Sequence, residues 1–381
     1  MTVVATDTGE TRALRAALAE KAADAGCSPH WRAAVATVPR HMFVPRYYCQ
    51  EPDGWREFTA ADTRYPADVY DIDRALTTRL LGGVPTSSSS QPRLMLDMLE
   101  ALDVADGHRV LEVATGTGYK AALLAERLGS GNVITMEVEP ELADRARDRL
   151  ASCGYVPLVV AADGRAGYPE GAPYDRLIAT CGFDDVPCAW VEQVRPGGVI
   201  VCPVGSGNVR LVVGEDGTAE GVFLPGGSCF MKARDAGTNG EVTYPGTPDA
   251  SETTTRAAFL APDVPDDSEF AFLYSLALPD TAYGVERDAT GSVTERRMWG
   301  RDGSWACVDR GRVVQAGPRS LWDGVEAAYA FHREHGRPRR DRYGLTVTRE
   351  RQWAWLDRPA WPVPVAAGAR RGPRSRDSSA R

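Results

Sequence analysis

Apolar positions recur at helical spacing through the first hundred residues and then change to short apolar runs. Over 11–25, TRALRAALAEKAADA, residues Leu14, Ala17, Leu18 and Ala22 share one helical face, which predicts an amphipathic helix behind a short polar terminus. Ser28 and Pro29 supply an N-cap and an N1 proline for a second helix, WRAAVATV, stopped by Pro39. A third helix follows Pro92, with Leu94, Met95, Met98, Leu99 and Leu102 on its apolar face. From residue 109, short apolar runs alternate with helical stretches: RVLEV, YKAALLAERL, NVITME, PELADRARDRL, PLVVAAD, YDRLIAT and VIVCPV. That alternation predicts βαβ units around a parallel sheet, an α/β fold. After Gly205 the stretch VRLVVGEDGTAEGVFL reads as strand and turn, with EDGT as the hairpin connection that closes the sheet in an antiparallel manner.

Residues 236–255 are rich in Gly, Thr and Pro without hydrophobic period and are expected to be a linker. They separate a central unit, 31–235, from a segment, 256–364, whose apolar runs FAFLYSLAL, SLWDGVEAAYAF and LTVTRERQWAWL predict an additional C-terminal α+β domain. Residues 1–30 form the terminus and first helix. The last stretch, 365–381, has five arginines and no apolar face, and is expected to be disordered.

Charge and composition narrow the possibilities. The chain has 381 residues, with 44 Lys and Arg against 52 Asp and Glu, a formal charge of −8 that argues against nucleic acid as a partner. No run approaches the ~18 apolar residues of a membrane span, and the start lacks a basic region followed by an apolar one, so a cytoplasmic protein is expected. The eight cysteines form no CxxC, and His332 and His335 stand at a spacing without metal-site context. No metal is predicted.

The strongest chemical signal is VLEVATGTGY at 110–119, an apolar strand that carries a carboxylate and runs through a small-residue turn into a helix. Gly116 and Gly118 let a ligand approach the backbone, and the helix start offers unpaired N–H donors. Glu137 ends the next strand, where an acid reaches ribose hydroxyls, and Asp163 with Gly164 follows the third strand, suited to an adenine amino group. The loop reads A-T-G-T-G, not GxGxxG, and Glu112 beside it suits the amino group of a methionyl tail. That is an S-adenosylmethionine pattern.

Seven segments in order, VATVPRHMFVPR, Ser90-Gln91-Pro92, VLEVATGTGY, MEVEPELADRAR, AADGR, YDRLIAT and RPGGVIVCPVG, resemble the protein L-isoaspartyl O-methyltransferase family. The resemblance runs from about residue 30 to 235. It implies a Rossmann-like class I methyltransferase fold, S-adenosyl-L-methionine as cofactor with S-adenosyl-L-homocysteine as product, and O-methylation of an aspartyl-type carboxylate in a peptide. Cofactor contacts are then expected from Glu112, Ala114, Thr115, Gly116, Thr117, Gly118, Glu137, Val138, Asp163, Gly164 and Thr180. The family's active-site serine element falls on 88–92, so Ser90 matches the catalytic position and Ser88 the hydroxyl two residues before it. By the residues alone, four serines at 87–90 before a helix read as a turn and N-cap. Ala114 stands where the family's loop has its first glycine, and Ser89 where it has an apolar residue.

GPRSLWDGVEAAYAFHREHGRP and RYGLTVTRERQWAWL look like the C-terminal part of the homologues associated with ATP-grasp ribosomal peptide (graspetide) maturation. That second resemblance implies methylation of an Asp side chain in a crosslinked, ribosomally made precursor peptide, with the ester collapsing to aspartimide. The alternative is L-isoaspartyl protein repair.

Overall fold

The computed structural model describes residues 7–240 and 242–364. Three helices open it, α1 (Gly9–Asp24), α2 (Pro29–Thr37) and the one-turn α3 (Arg40–Phe43). Thr8 caps α1 by accepting from the Thr11 amide, and Pro29 stands in the first turn of α2. An antiparallel sheet follows that the hydrophobic pattern does not predict: β1 (Arg46–Glu51), β2 (Gly54–Thr59), β3 (Leu76–Leu81) and β4 (Val84–Ser89), in the order β2-β1-β3-β4 with α4 (Tyr65–Val69) between β2 and β3. Its hairpin turn at Gly82 and Gly83 has both residues at positive φ, 60° and 80°, as a two-residue loop between twisted strands requires.

The βαβ units form where the apolar runs lie. The elements are α5 (Pro92–Leu102), β5 (Val110–Val113), α6 (Tyr119–Leu128), β6 (Val133–Glu137), α7 (Pro140–Ser152), β7 (Leu158–Ala161), β8 (Tyr174–Ala179), α8 (Cys188–Gln193), β9 (Val194–Val204), β10 (Gly207–Val213) and β11 (Ala219–Gly227). β9, β8, β5, β6 and β7 are parallel, and β10 and β11 continue the sheet in antiparallel fashion. β5 lies between β6 and β8, so the chain leaves it in both directions and opens a crevice at its carboxyl end. The strands alternate in what they bury: Val199 and Val201 of β9 pack with the N-terminal helices, while Ile200 and Cys202 pack on the opposite face.

The C-terminal segment departs from the expected boundaries. Its five-stranded sheet is β12 (Thr254–Ala257), β13 (Thr281–Arg287), β14 (Val293–Gly300), β15 (Trp305–Asp309) and β16 (Arg312–Ala316), with α9 (Ser268–Ala277) and α10 (Leu321–Glu334). β12 begins inside the stretch expected to be linker. The last two strands, β17 (Tyr343–Val347) and β18 (Gln352–Leu356), leave that sheet and join the central one, with β17 pairing antiparallel to β11. The central sheet therefore has nine strands, ordered β18-β17-β11-β10-β9-β8-β5-β6-β7. One apolar cluster runs from Leu111 through Phe223, Phe272, Trp322 and Val308 to Val363, so 256–364 shares a core with 31–235. The cause is local chemistry: the outer face of β10 and β11 presents Val209, Leu211 and Phe223, and α9 covers it with Phe272, whose ring meets Phe223 edge-on at 4.8 Å. The expected disordered tail, 365–381, lies outside the described residues. Among the described residues no helix is long and apolar enough to cross a membrane.

Candidate functional site

A cavity of about 450 Å³ opens at the carboxyl ends of β5, β6 and β8. The glycine loop 114–118, the serine run and the segment 227–234 enclose it, and every residue expected to contact the cofactor lines it except Gly118. Gly118 instead starts α6 at φ 90°, packed against Ala146 of α7.

The loop owes its shape to β6. Glu137 Oε2 accepts from the Gly116 amide at 2.9 Å, and Oε1 accepts from the Glu139 amide at 3.2 Å. Burial pushes the Glu137 carboxyl above the usual carboxylate range, while the two amides hold it back. Gly116 sits at φ 54°, and a Cβ there would meet the Ser88 carbonyl at 3.5 Å, so the loop comes close to the serine strand. Thr115 and Thr135 share a buried hydroxyl bond of 2.6 Å that ties the loop to β6. On the next strand side, Gly164 leaves no room for a side chain, since a Cβ would meet Val113 at 2.4 Å. Asp163 is shared: its carboxylate accepts from the Arg165 amide at 3.0 Å and pairs with the Arg165 guanidinium, which also reaches Asp235. An adenine amino group at Asp163 would therefore share that carboxylate with Arg165.

Ala114 adopts φ 70°, a left-handed conformation that costs an L-residue about 1–2 kcal/mol. Ala114→Gly is expected to raise stability by roughly 0.5–1 kcal/mol, the relieved strain less the larger unfolded-state entropy of glycine. Thermal melting reads this as a rise on the order of 1 °C with unchanged cofactor affinity; a lower melting temperature would show that the strain is not there.

Strand alternation sorts the serines. The run is not a turn: 87–89 belong to β4, and the alternate side chains of a strand point to opposite faces. Ser87 accepts from Thr78 at 3.2 Å and Ser89 from Arg40 at 3.2 Å, both buried. Ser88 and Ser90 are half-buried on the cavity wall, and among the described residues their hydroxyls make no hydrogen bond. Arg40, wholly buried in α3, also donates to the Ser90 carbonyl at 3.0 Å and lies over the Tyr119 ring at 5.4 Å. Burial lowers its pKa to about 10. It fixes the backbone from which Ser90 projects.

Three contributors escape the sequence reading: Arg40, the segment 227–234 and Lys120. Val138 and Thr180 line the cavity, and Thr180 Oγ1 accepts from Lys120 Nζ at 2.9 Å. Segment 227–234 is held by the Gly182–Lys232 bridge, and its Arg234 ties the Thr86 carbonyl of β4 to Glu139. The signal for Lys120 is its setting in α6, where Tyr119 and residues 121–125 are all apolar, so a lone cation there has no solvent face.

Comparison with known proteins follows the same outline. A profile of the family described as Protein-L-isoaspartate(D-aspartate) O-methyltransferase (PCMT) matches residues 15–220. The protein-L-isoaspartate O-methyltransferase of Methanopyrus kandleri is 41% identical over 180 residues, 46% of this chain and 70% of that protein. Protein-L-isoaspartate O-methyltransferase 2 of Archaeoglobus fulgidus is 39% identical over 184 residues, 48% of this chain and 74% of that protein. A solved structure titled protein-L-isoaspartate O-methyltransferase superposes with a TM-score of 0.52 at 22% identity, covering 87% of this chain and 96% of its own. The fold likeness thus extends past residue 235, so a C-terminal extension does not by itself set this chain apart.

Proposed function

Because the chain belongs to the protein-L-isoaspartate(D-aspartate) O-methyltransferase family, whose members are S-adenosylmethionine-dependent carboxyl methyltransferases, we propose that it esterifies an aspartyl-type carboxylate of a peptide laid against Ser88 and Ser90. The observation that carries this is the pair of hydroxyls on the cavity wall that make no hydrogen bond among the described residues, on a segment whose Ser88 carbonyl approaches the glycine loop. The residues fit the cofactor. Glu137 takes ribose hydroxyls, Asp163 and Gly164 line the cavity where adenine would lie, and Glu112 is a buried carboxylate whose oxygens accept no hydrogen bond among the described residues.

When bound, the cofactor supplies an electrophilic methyl group on a sulfonium. An Asp carboxyl, with a pKa of about 3.9, is already ionised at neutral pH, so the protein needs no strong base. Its work is to hold the carboxylate in line with the methyl group and to exclude water. Ser88 and Ser90 donate to the carboxylate or to the peptide group beside it, and Arg40 keeps their backbone in place. Glu137, Asp163 and Glu112 would hold the cofactor, which would supply the methyl carbon of the new ester and depart as the neutral thioether.

Of the two substrates in this class we favour an Asp side chain in a crosslinked, ribosomally made precursor peptide, and a cytoplasmic setting goes with that reading. Its support is the resemblance of 317–338 and 342–356, which fold as α10 with its flanking turns and as β17–β18. In that peptide the following backbone nitrogen attacks the ester carbonyl, methanol leaves and aspartimide forms. The names of the matched relatives favour the second reading, methylation of isoaspartyl residues.

Ser90→Ala is expected to lower the transfer rate by about tenfold to a hundredfold, the worth of one or two charge-assisted hydrogen bonds, with cofactor affinity intact. Ser88→Ala should do less. Mass spectrometry of an isoaspartyl peptide and of a crosslinked precursor peptide, each incubated with enzyme and cofactor, decides the substrate. Methyl gain and then methanol loss on the crosslinked peptide alone supports maturation. Methyl gain on the isoaspartyl peptide alone assigns repair.

A further inference from the structure

Lys120 stands second in α6 with its ammonium turned into the protein. Nζ donates to Thr180 Oγ1 at 2.9 Å and lies 3.4 Å from Glu112 Oε1. Lys120, Glu112 and Thr180 all line the cavity, and Glu112 is wholly buried. Thr180 is anchored in turn by its hydroxyl, 3.4 Å from the Ala114 carbonyl. Stability gives little reason for this arrangement, because desolvating two charges offsets most of their attraction and an apolar pair of the same volume does as well. An ammonium has three donors. Thr180 takes one, and Glu112 stands at ion-pair distance without accepting a hydrogen bond, so the ammonium keeps donors beside the cavity.

The sheet order says which part of a ligand meets the pair. Glu137 ends β6, and Asp163 follows β7 on the far side of it, whereas Thr180 ends β8 on the opposite side of β5. A nucleoside with its ribose at Glu137 and its base near Asp163 has one direction left for its remaining arm, across β5 toward β8. That arm ends in an α-amino acid, which carries an ammonium and a carboxylate on one carbon. The buried pair offers one acceptor and one donor of matching charge, and the four charges sum to zero.

We propose that Lys120 is the carboxylate-binding residue for the amino-acid end of the cofactor, so that Lys120 and Glu112 together form a clamp for a zwitterion. The proposal rests on the cofactor reading above and assigns a partner for the carboxylate, where the glycine loop accounts only for the nucleoside and Glu112 for the amino group. Lys120 then selects for a ligand that retains its carboxylate and disfavours one cut back to a thioether.

The test is isothermal titration of the full chain, wild type and Lys120→Met, with two probes. S-adenosyl-L-homocysteine carries the amino acid, and 5′-methylthioadenosine is the same nucleoside without it. Lys120→Met is expected to weaken S-adenosyl-L-homocysteine by about tenfold to a hundredfold, the value of a charge-assisted hydrogen bond to a buried carboxylate, and to leave 5′-methylthioadenosine unchanged. Equal weakening of both probes would mean that Lys120 only supports the fold, and unchanged binding of both would mean that it touches no ligand; either result overturns the proposal. Should Lys120→Met fail to fold because Glu112 is left as an unpaired buried charge, Lys120→Gln keeps a donor for Thr180 and predicts the same split. Wild-type protein that binds neither probe would instead remove the cofactor reading beneath the proposal.

Discussion

A chain that stops after Asp341 is expected to fail to fold. The deletion removes β17 and β18, and with them Tyr343, Leu345, Val347 and Leu356, each buried to within a few per cent, along with Val363. At roughly 1.5–3 kcal/mol for each large apolar side chain, these five contribute on the order of 10 kcal/mol, comparable to the whole stability of a folded protein. The damage does not end with lost area. β17 supplies every ladder bond on the outer edge of β11, from Ala219 against Val347 to Val222 against Gly344, so the deletion bares an edge strand. It also strips Phe272 of the Tyr343 ring at 5.6 Å, and so exposes the face of α9. Expression of 1–341 beside 1–364 tests this by solubility, far-ultraviolet circular dichroism and melting. A soluble 1–341 with a cooperative melt would mean that the last strands are an ornament on the sheet. The same reasoning predicts that 256–364 is not a detachable module, since its sheet is fastened to the central one through α9, α10 and β17.

Those strands show where the sequence is informative and where it is silent. The apolar runs at 343–347 and 352–356 are visible, but their partner, β11, lies more than a hundred residues earlier, and nothing in either strand names the other. The parallel core is legible because β5 and β6 are buried throughout and each is followed by a helix of clear period. The sheet at 46–89 is hidden for the opposite reason. Its strands are half-exposed with mixed patterns, so no alternation stands out, and the hairpins are marked by their turn residues, Pro52-Asp53-Gly54 and Gly82-Gly83. Missing that sheet makes the serine run look like a turn, although strand geometry is what sets Ser88 on the face opposite Ser87 and Ser89. The acids Glu112, Glu137 and Asp163 are legible from their places at or just past the strand ends. Arg40 is not, because an arginine after a proline reads as solvent-facing until tertiary packing closes over it, and Lys120 is marked only by its apolar neighbours in α6.

Glu137→Ala is expected to reduce cofactor affinity by roughly a hundredfold or more, the largest loss of any single substitution in the site. Two separate effects combine. The carboxylate is the acceptor for ribose hydroxyls in the proposed binding mode, and a charged acceptor is worth about 1.5–3 kcal/mol for each bond it makes. It also accepts from the Gly116 and Glu139 amides at 2.9 and 3.2 Å, so its loss leaves both buried donors unsatisfied and releases a loop residue held at φ 54°. Glu137→Gln separates the two effects. A glutamine offers one acceptor oxygen where the carboxylate offers two, so one of the amides faces an NH₂ group and the loop is still perturbed, while the volume is unchanged. Its affinity should fall between wild type and Glu137→Ala. Ser90→Ala serves as the control, because it leaves the ribose subsite intact and should bind S-adenosyl-L-homocysteine as wild type does. Titration calorimetry on the three variants gives the ordering. If Glu137→Ala bound as tightly as Ser90→Ala, Glu137 would be a structural acceptor for the loop amides alone, and the ribose would have to sit elsewhere in the cavity.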